Sequence, residues 1–363
     1  MSNQRVCIAG GGTGGHVMPA LALADAIRHR WSHVQVDFIG AQRGLEAKIL
    51  PQHGEQVQLL TMHAVQGQGW LSRVRVLGWE LPRAVVSIIG AWRGNKPDVL
   101  VGVGGYASVS GVLAAVLCRV PVVLYEQNAI PGMVNRTLAR FCDTVMLGFA
   151  EAASHLPQAH CVVTGNGVRD AIAAVQCIPH IPPRLLVMGG SQGARFLNQT
   201  IPLLCAELRQ HQRVFQVHHI CGQEADVEAV QAAYAAADVT ADVVAFCDDM
   251  AKFYSHGDLL IARAGAMTVS EVAMCGLPTI FIPLPSAADQ HQHHNAETLH
   301  ACGAALLWQQ QNYHFQTWTK VLQETLFNPL TLLEMRQFMR AAAQPEARQK
   351  QLNVLALWLE EQS

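Results

Sequence analysis

Short, near-continuous apolar runs alternate along this chain with longer stretches whose apolar positions recur at helical spacing. "RVCIAG" predicts a buried strand, and the stretch from Gly15 to about Arg30 predicts a helix. "VQVDFIG", "PDVLVGV", "VPVVLYE" and "DTVMLG" predict further strands, with a helix near Ala107–Leu117. Val/Ile/Leu runs of this kind suit strands buried on both faces of a parallel sheet. Their alternation with helices is the mark of βαβ units. Val99–Cys118 is a 20-residue stretch without a charge, long enough to span a bilayer. "VGVGGYASVSG" inside it and "RVPVVLYEQN" after it favour strand, glycine turn, helix and strand over one spanning helix.

The pattern breaks at "NGVRDAIAAVQCIPHIPPR", where Pro179, Pro182 and Pro183 suggest a linker. It restarts with "PRLLVMGGSQGARFLNQTIPLL", again strand, glycine turn and helix. "RVFQVHHICG", "ADVVAFCDD", "GDLLIARAG", "LPTIFIP" and "AALLW" follow as strands, and the residues from about Leu330 read as helical. The expected fold is α/β, with two Rossmann-like, doubly wound parallel-sheet domains. The length of 363 residues agrees with two domains at roughly 100–200 residues each.

Composition narrows the class. Half the residues are hydrophobic and 14% are charged, which suits a chain with large cores. A formal charge of −2 carries no nucleic-acid signature. The ten cysteines have no paired spacing, so they read as buried thiols in a reducing compartment rather than disulfides or zinc ligands. "MSNQRVCIAG" runs straight into a strand, and no signal peptide is expected from it.

The candidate chemistry lies in the turns. In "IAGGGTGGHVMPAL", Gly10, Gly12 and Gly15 have the G-x-G-x-x-G spacing of a dinucleotide loop. Asp37 stands where an acidic ribose contact would be required. Similar turns recur at "GVGGYAS" and "GGSQGAR", whereas a dinucleotide needs only one. His16 adds an imidazole at the first helical turn, suited to general-base work or to a plain polar contact. Ser191 offers a neutral donor to a diphosphate and Arg169 a full charge, unless Arg169 is an ordinary surface arginine. In "GAMTVSE", Thr268 and Ser270 can hydrogen-bond. Glu271 there is either a capping residue or a carboxylate that accepts two ribose hydroxyls. His291, His293 and His294 lack the i, i+4 spacing of zinc ligands on a helix, and no D-x-D occurs. Gln292 and Asn295 read instead as amide partners for hydroxyls. Trp70, Leu71, Val74, Val76, Leu77 and Trp79 interleave with Arg73, Arg75 and Arg83. That run fits an anionic membrane surface or a core helix with snorkelling arginines.

"GGGTGGHVMPA", "GVGGYAS", "YEQNAIPG", "GNGVR", "MGGSQGAR" and "RAGAMTVSE" occur in that order over nearly the whole chain. The ordered set resembles the bacterial N-acetylglucosaminyltransferases that convert lipid I to lipid II in peptidoglycan synthesis. The resemblance implies the glycosyltransferase B fold, two domains facing a cleft. It implies an acceptor- and membrane-associated domain over 1–165, a hinge over 166–183, a donor domain over 184–340 and a helix over 341–363 that returns to the first domain. It implies inverting transfer of GlcNAc from UDP-GlcNAc to the C4 hydroxyl of the muramoyl sugar on undecaprenyl diphosphate, at the cytoplasmic face of the inner membrane. The implied partners are UDP-GlcNAc, lipid I, an anionic membrane surface and other cell-wall synthesis proteins, without nucleic acid. No tightly bound cofactor or metal is implied, and a free divalent cation is compatible.

By the same resemblance, Thr13, Gly14, Gly15 and Asn128 contact the donor, and Arg169 and Ser191 the diphosphate. Cys247 lies where uracil is read through backbone. Ala266, Met267, Thr268, Val269, Ser270 and Glu271 form the nucleoside-binding helix start, and Gln292 meets the GlcNAc hydroxyls. Gly104, Gly105 and Tyr106 form the acceptor loop. Three positions depart from the family pattern: Tyr125 replaces a histidine, Gly167 a proline and His291 a glutamine. His16 is the expected base, with Glu126 the alternative. A UDP-GlcNAc epimerase and an NAD-dependent oxidoreductase are the competing readings.

Overall fold

A computed structural model describes residues 4–12, 14–62, 75–190 and 193–360. Seven strands make the first sheet: β1 (Arg5–Gly10), β2 (Gln35–Ala41), β3 (Val57–Leu60), β4 (Val99–Gly104), β5 (Val122–Glu126), β6 (Thr144–Leu147) and β7 (Cys161–Val163). They lie in the order β3-β2-β1-β4-β5-β6-β7, and every pairing is parallel. Six strands make the second: β8 (Arg184–Met188), β9 (Gln216–Ile220), β10 (Thr240–Val244), β11 (Leu259–Ala262), β12 (Thr279–Phe281) and β13 (Ala305–Leu307). Their order, β10-β9-β8-β11-β12-β13, repeats the first sheet's winding. Both are the doubly wound arrangement expected from the βαβ alternation. β3 and β7 escaped the sequence reading. Both are short edge strands that lack the fully buried apolar run of their neighbours.

Alternation along β1 shows how the first sheet divides its core. Val6 and Ile8 join one apolar layer, with Leu21, Ile27 and Phe38; Cys7 and Ala9 join the other, with Ile88, Leu100 and Leu124. Val99–Cys118 is strand β4 followed by the helix Tyr106–Cys118. No helix among the described residues is long and apolar enough to cross a membrane.

Contacts divide the chain into one unit of Met1–Gly167 with Glu346–Ser363 and another of Val168–Pro345. In the first, the helix Ala347–Leu359 places Leu352, Val354, Leu355 and Leu359 in the layer that holds Val6 and Ile8. Gly167 faces this helix: a Cβ there would come to 2.7 Å from Gln351 Oε1. In the second unit, the stretch with Pro179, Pro182 and Pro183 is tied to the sheet. The buried Asp258 carboxylate accepts the backbone N–H groups of His180 and Arg184 at 3.0 and 2.9 Å, and pairs with Arg336.

Candidate active site

Each sheet reverses its winding at one place, between β1 and β4 in the first unit and between β8 and β11 in the second. Ligands of open parallel sheets bind beyond the carboxyl ends of the strands that flank such a reversal. All the glycine turns noted in the sequence lie there. Gly10 closes β1 and Gly11, Gly12, Gly14 and Gly15 come after it; Gly104 closes β4 and Gly105 follows; Gly189, Gly190 and Gly193 follow β8, and Gly265 follows β11.

In the first unit, the ends of β1 and β4 are locked together. Gly11 N–H donates to the Gly104 carbonyl at 3.2 Å. The buried Ser108 hydroxyl accepts the Gly104 N–H at 3.0 Å and donates to the Ala9 carbonyl at 2.6 Å. Gly105 has φ of 80°, and a Cβ there would overlap the Gly11 carbonyl, so only glycine fits. Tyr106, partly buried, opens the next helix. Gly14 and Gly15 open the helix Gly14–Arg30, whose first-turn N–H groups have no acceptor within the helix itself; Thr13 lies outside the described residues. His16 is partly buried on this first turn, with Nδ1 3.1 Å from the Gly11 carbonyl oxygen. A carbonyl only accepts, so Nδ1 carries the hydrogen and Nε2 keeps its lone pair. Nε2 faces Gly104, where a Cβ would come to 2.9 Å.

Glu126 is placed for a different task. It is 2% exposed, and its two oxygens accept four N–H donors at 2.9–3.1 Å: Asn128 N, Asn128 Nδ2, Gly132 N and Asn135 Nδ2. The carboxylate orders the turn that carries Asn128. Tyr125, which departs from the family pattern, is buried with its hydroxyl on Asn166 Oδ1 at 2.9 Å, and burial pushes its pKa up. Asp37 lies within β2 and pairs with Arg5, away from the carboxyl end where a dinucleotide ribose would bind.

In the second unit, the helix Ala266–Cys275 starts directly after β11. Ala266 and Val269 are buried, whereas Met267, Thr268 and Ser270 are partly exposed. Glu271 is 9% exposed and accepts the Tyr254 hydroxyl at 2.8 Å. Burial raises the Glu271 pKa, while the Tyr254 bond and the Arg169 charge pull it back. The structure thus brings Arg169 and Glu271, distant in sequence, into one electrostatic group. Arg169 immediately precedes the short helix Asp170–Ala173, with no side-chain hydrogen bond to its N-terminus. Ser191 lies outside the described residues, between Gly190 and Gly193. Cys247 is partly exposed after β10, with its thiol 3.4 Å from the Asp249 carbonyl. Gln292 Oε1 accepts the Leu284 N–H at 2.9 Å, leaving the amide nitrogen for other contacts. His291 Nδ1 bonds to the Ala288 carbonyl, and His294 faces Glu297. No group of three metal-ligating side chains is set to hold an ion among the described residues.

Four residues of this region escaped the sequence reading. Ser108, Tyr254 and Glu46 carry no motif of their own and gain meaning only from what they touch. Arg263 was visible in "RAGAMTVSE". It is 7% exposed and donates to the carbonyls of Ile282 and Pro283 and to Gln310 Oε1; burial lowers its pKa to about 10.

Comparison with known proteins follows the same division. Residues 6–147 match the glycosyltransferase family 28 N-terminal domain and residues 184–351 the glycosyltransferase family 28 C-terminal domain. A protein of Magnetococcus marinus named UDP-N-acetylglucosamine--N-acetylmuramyl-(pentapeptide) pyrophosphoryl-undecaprenol N-acetylglucosamine transferase is 38% identical over 360 residues, covering 97% of each chain. A Xylella fastidiosa protein of the same name is 40% identical over 350 residues, covering 94% of this chain and 93% of its own. The crystal structure of Acinetobacter baumannii MurG superposes with a TM-score of 0.78 at 33% identity, covering 98% of this chain and 99% of that one. A Listeria monocytogenes chain assigned as a UDP-N-acetylglucosamine 2-epimerase reaches a TM-score of 0.69 at 15% identity, covering 99% and 98%, and shares the fold alone.

Proposed function

The chain belongs to glycosyltransferase family 28, and from that premise we infer that it transfers GlcNAc from UDP-GlcNAc to lipid I, giving lipid II. The observation that carries this is 38% identity to a so-named transferase over an alignment that covers 97% of the chain. The epimerase reading has fold similarity alone behind it. The dinucleotide reading loses its ribose carboxylate to the Arg5 pair.

We propose direct displacement with inversion. The acceptor C4 hydroxyl attacks C1 of GlcNAc while the bond to the diphosphate breaks and its electron pair leaves with UDP. His16 Nε2 is the base that takes the hydroxyl proton. Its fixed tautomer supports this role, and the four N–H bonds on Glu126 speak against the alternative base. Glu271 accepts the ribose hydroxyls, with Tyr254 holding its other oxygen. Helix N-termini, Arg169 and Ser191 stabilise the charge that grows on the diphosphate. Thr13, Gly14, Gly15, Asn128, Cys247, Ala266, Met267, Thr268, Val269, Ser270 and Gln292 complete the donor contacts. Gly104, Gly105 and Tyr106 receive the acceptor. No resident metal or cofactor takes part, although a free divalent cation is compatible with the diphosphate.

We further propose peripheral attachment to the cytoplasmic face of the inner membrane. The helix Leu81–Ala91 buries Ala84, Val85 and Ile88, and leaves Val86 69% exposed. The preceding Trp79 is 63% exposed with the Arg83 guanidinium 5.6 Å from its ring. Exposed apolar groups beside arginine suit an anionic lipid surface. Trp70, Leu71, Arg73 and Val74 lie outside the described residues. UDP release from UDP-GlcNAc with and without a lipid I analogue tests the main reading. Release that depends on the acceptor, with lipid II formed, is expected; acceptor-independent turnover refutes transfer.

A further inference from the structure

A carboxylate lies beneath the first glycine turn and has no part in the chemistry above. Glu46 begins the helix Glu46–Gln52, yet it is 1% exposed. Its Oε2 accepts the Gly12 N–H at 2.6 Å, and Oε1 accepts the Ala41 N–H at 2.8 Å. Room for it exists because nearby positions lack side chains. A Cβ on Gly11 or Gly44 would overlap the carboxylate itself, and one on Gly40 would overlap its Cγ. Burying a carboxylate is expensive unless strong hydrogen bonds hold it, and charge-assisted bonds to N–H groups are among the strongest.

The peptide that Glu46 holds has a second partner. Gly12 N–H and the Gly11 carbonyl belong to one trans peptide and therefore point in opposite directions. On the carbonyl side stands His16 Nδ1, at 3.1 Å. The order is carboxylate, peptide, imidazole. A charge on Oε2 polarises the peptide, enriches its carbonyl oxygen and strengthens the bond that the oxygen accepts. The carboxylate also fixes orientation. A peptide between two glycines flips easily, and a flip would turn the Gly11 carbonyl away from the ring.

We propose that Glu46 is a positioning residue that acts on His16 through the Gly11–Gly12 peptide. It holds the ring with hydrogen on Nδ1 and the lone pair on Nε2, and it stabilises the imidazolium that forms when Nε2 takes the acceptor proton. The proton that Nε2 takes leaves to solvent after transfer. The arrangement does the work of a carboxylate bonded directly to a catalytic imidazole, with one peptide inserted.

The inference rests on His16 being the base, so its test separates the two ideas. Full-length protein labelled with 15N-histidine is compared as wild type and Glu46→Gln, with His16 identified by the signal lost in His16→Ala. Gln keeps the size but turns an amide N–H toward one of the two backbone donors. The expected wild-type spectrum is the Nδ1–H form. The expected variant shows a mixture with the Nε2–H form, kcat lowered about tenfold or more and KM for UDP-GlcNAc within about threefold. A wild-type Nε2–H ring overturns the proposal, and this result needs no variant to fold. An unchanged ring spectrum in folded Glu46→Gln overturns it too, as does raised KM with kcat intact. Full activity in His16→Ala would refute the base while leaving the Glu46–His16 coupling readable in the spectra.

Discussion

Replacing Glu271 with Gln sets stability against donor binding at one atom pair. The side chain is 9% exposed, and one oxygen already accepts the Tyr254 hydroxyl at 2.8 Å. Burial places its folded pKa above the unfolded one. The unfolded carboxyl therefore loses its proton first as pH rises. This group's contribution to stability is complete below the unfolded pKa and is lost as pH rises through the folded value. Gln removes a carboxylate whose charged form burial disfavours, while its amide oxygen still accepts from Tyr254. The thermal midpoint at neutral pH should stay level or rise. Donor binding should move the other way. Hydrogen bonds to a charged group contribute about 1.5–3 kcal/mol each, and Gln, with its one oxygen on Tyr254, turns an amide NH2 toward the ribose in place of a carboxylate oxygen. A loss of about 2–3 kcal/mol is roughly a 30- to 150-fold rise in KM for UDP-GlcNAc. Initial rates of UDP release, titration with UDP and scanning calorimetry measure both sides. In the wild type, KM should also rise on acidification before pH reaches the ordinary carboxylate range. A KM change under about threefold would refute the ribose assignment, and a clear fall in the midpoint would show that the carboxylate holds the fold instead.

His16→Ala should lower kcat by about 10²–10⁴ with KM for UDP-GlcNAc nearly unchanged, measured by UDP release. Glu126→Gln should leave two N–H donors without their acceptor and destabilise by about 1–3 kcal/mol for each, seen as a fall in calorimetric midpoint of about 2–4 °C per kcal/mol. Trp79→Ala combined with Val86→Ser should weaken co-sedimentation with anionic vesicles and leave turnover of a short-chain, water-soluble acceptor intact. EDTA should reduce the rate by at most severalfold, restored by added magnesium; complete and irreversible loss would argue for a resident ion.

Much of the fold was readable because its core strands are continuous apolar runs and its turns are glycine-rich. β1, β4, β8 and β11 announced themselves in this way, and they carry the turns of the candidate site. β3 and β7 did not, since an edge strand of three or four residues needs no buried run on both faces. Glu271 could be nominated from its place at a helix start. Its partner Tyr254 could not, because a tyrosine inside "KFYSHGD" looks like any half-core aromatic. Glu46 shows the limit more sharply. In "RGLEAKIL" it reads as a solvent-facing first-turn glutamate, favourable to the helix dipole. Only the spatial meeting of Gly11, Gly40 and Gly44 reveals the space kept for it.

The helix Ala347–Leu359 has a consequence for the order in which the protein is made. It supplies Leu352, Leu355 and Leu359 to an apolar layer of the unit that begins at the N-terminus. The ribosome completes all of Val168–Pro345 before that helix emerges. At about 5–20 residues per second, the N-terminal sheet waits on the order of ten seconds or more with part of one face uncovered, beside the helix Gly14–Arg30. The unit translated second can finish folding first, because nothing it needs is encoded later. For that interval the nascent chain presents an apolar surface of the kind chaperones hold. A stop codon ahead of residue 346 would make the interval permanent, with aggregation of the N-terminal unit the expected result.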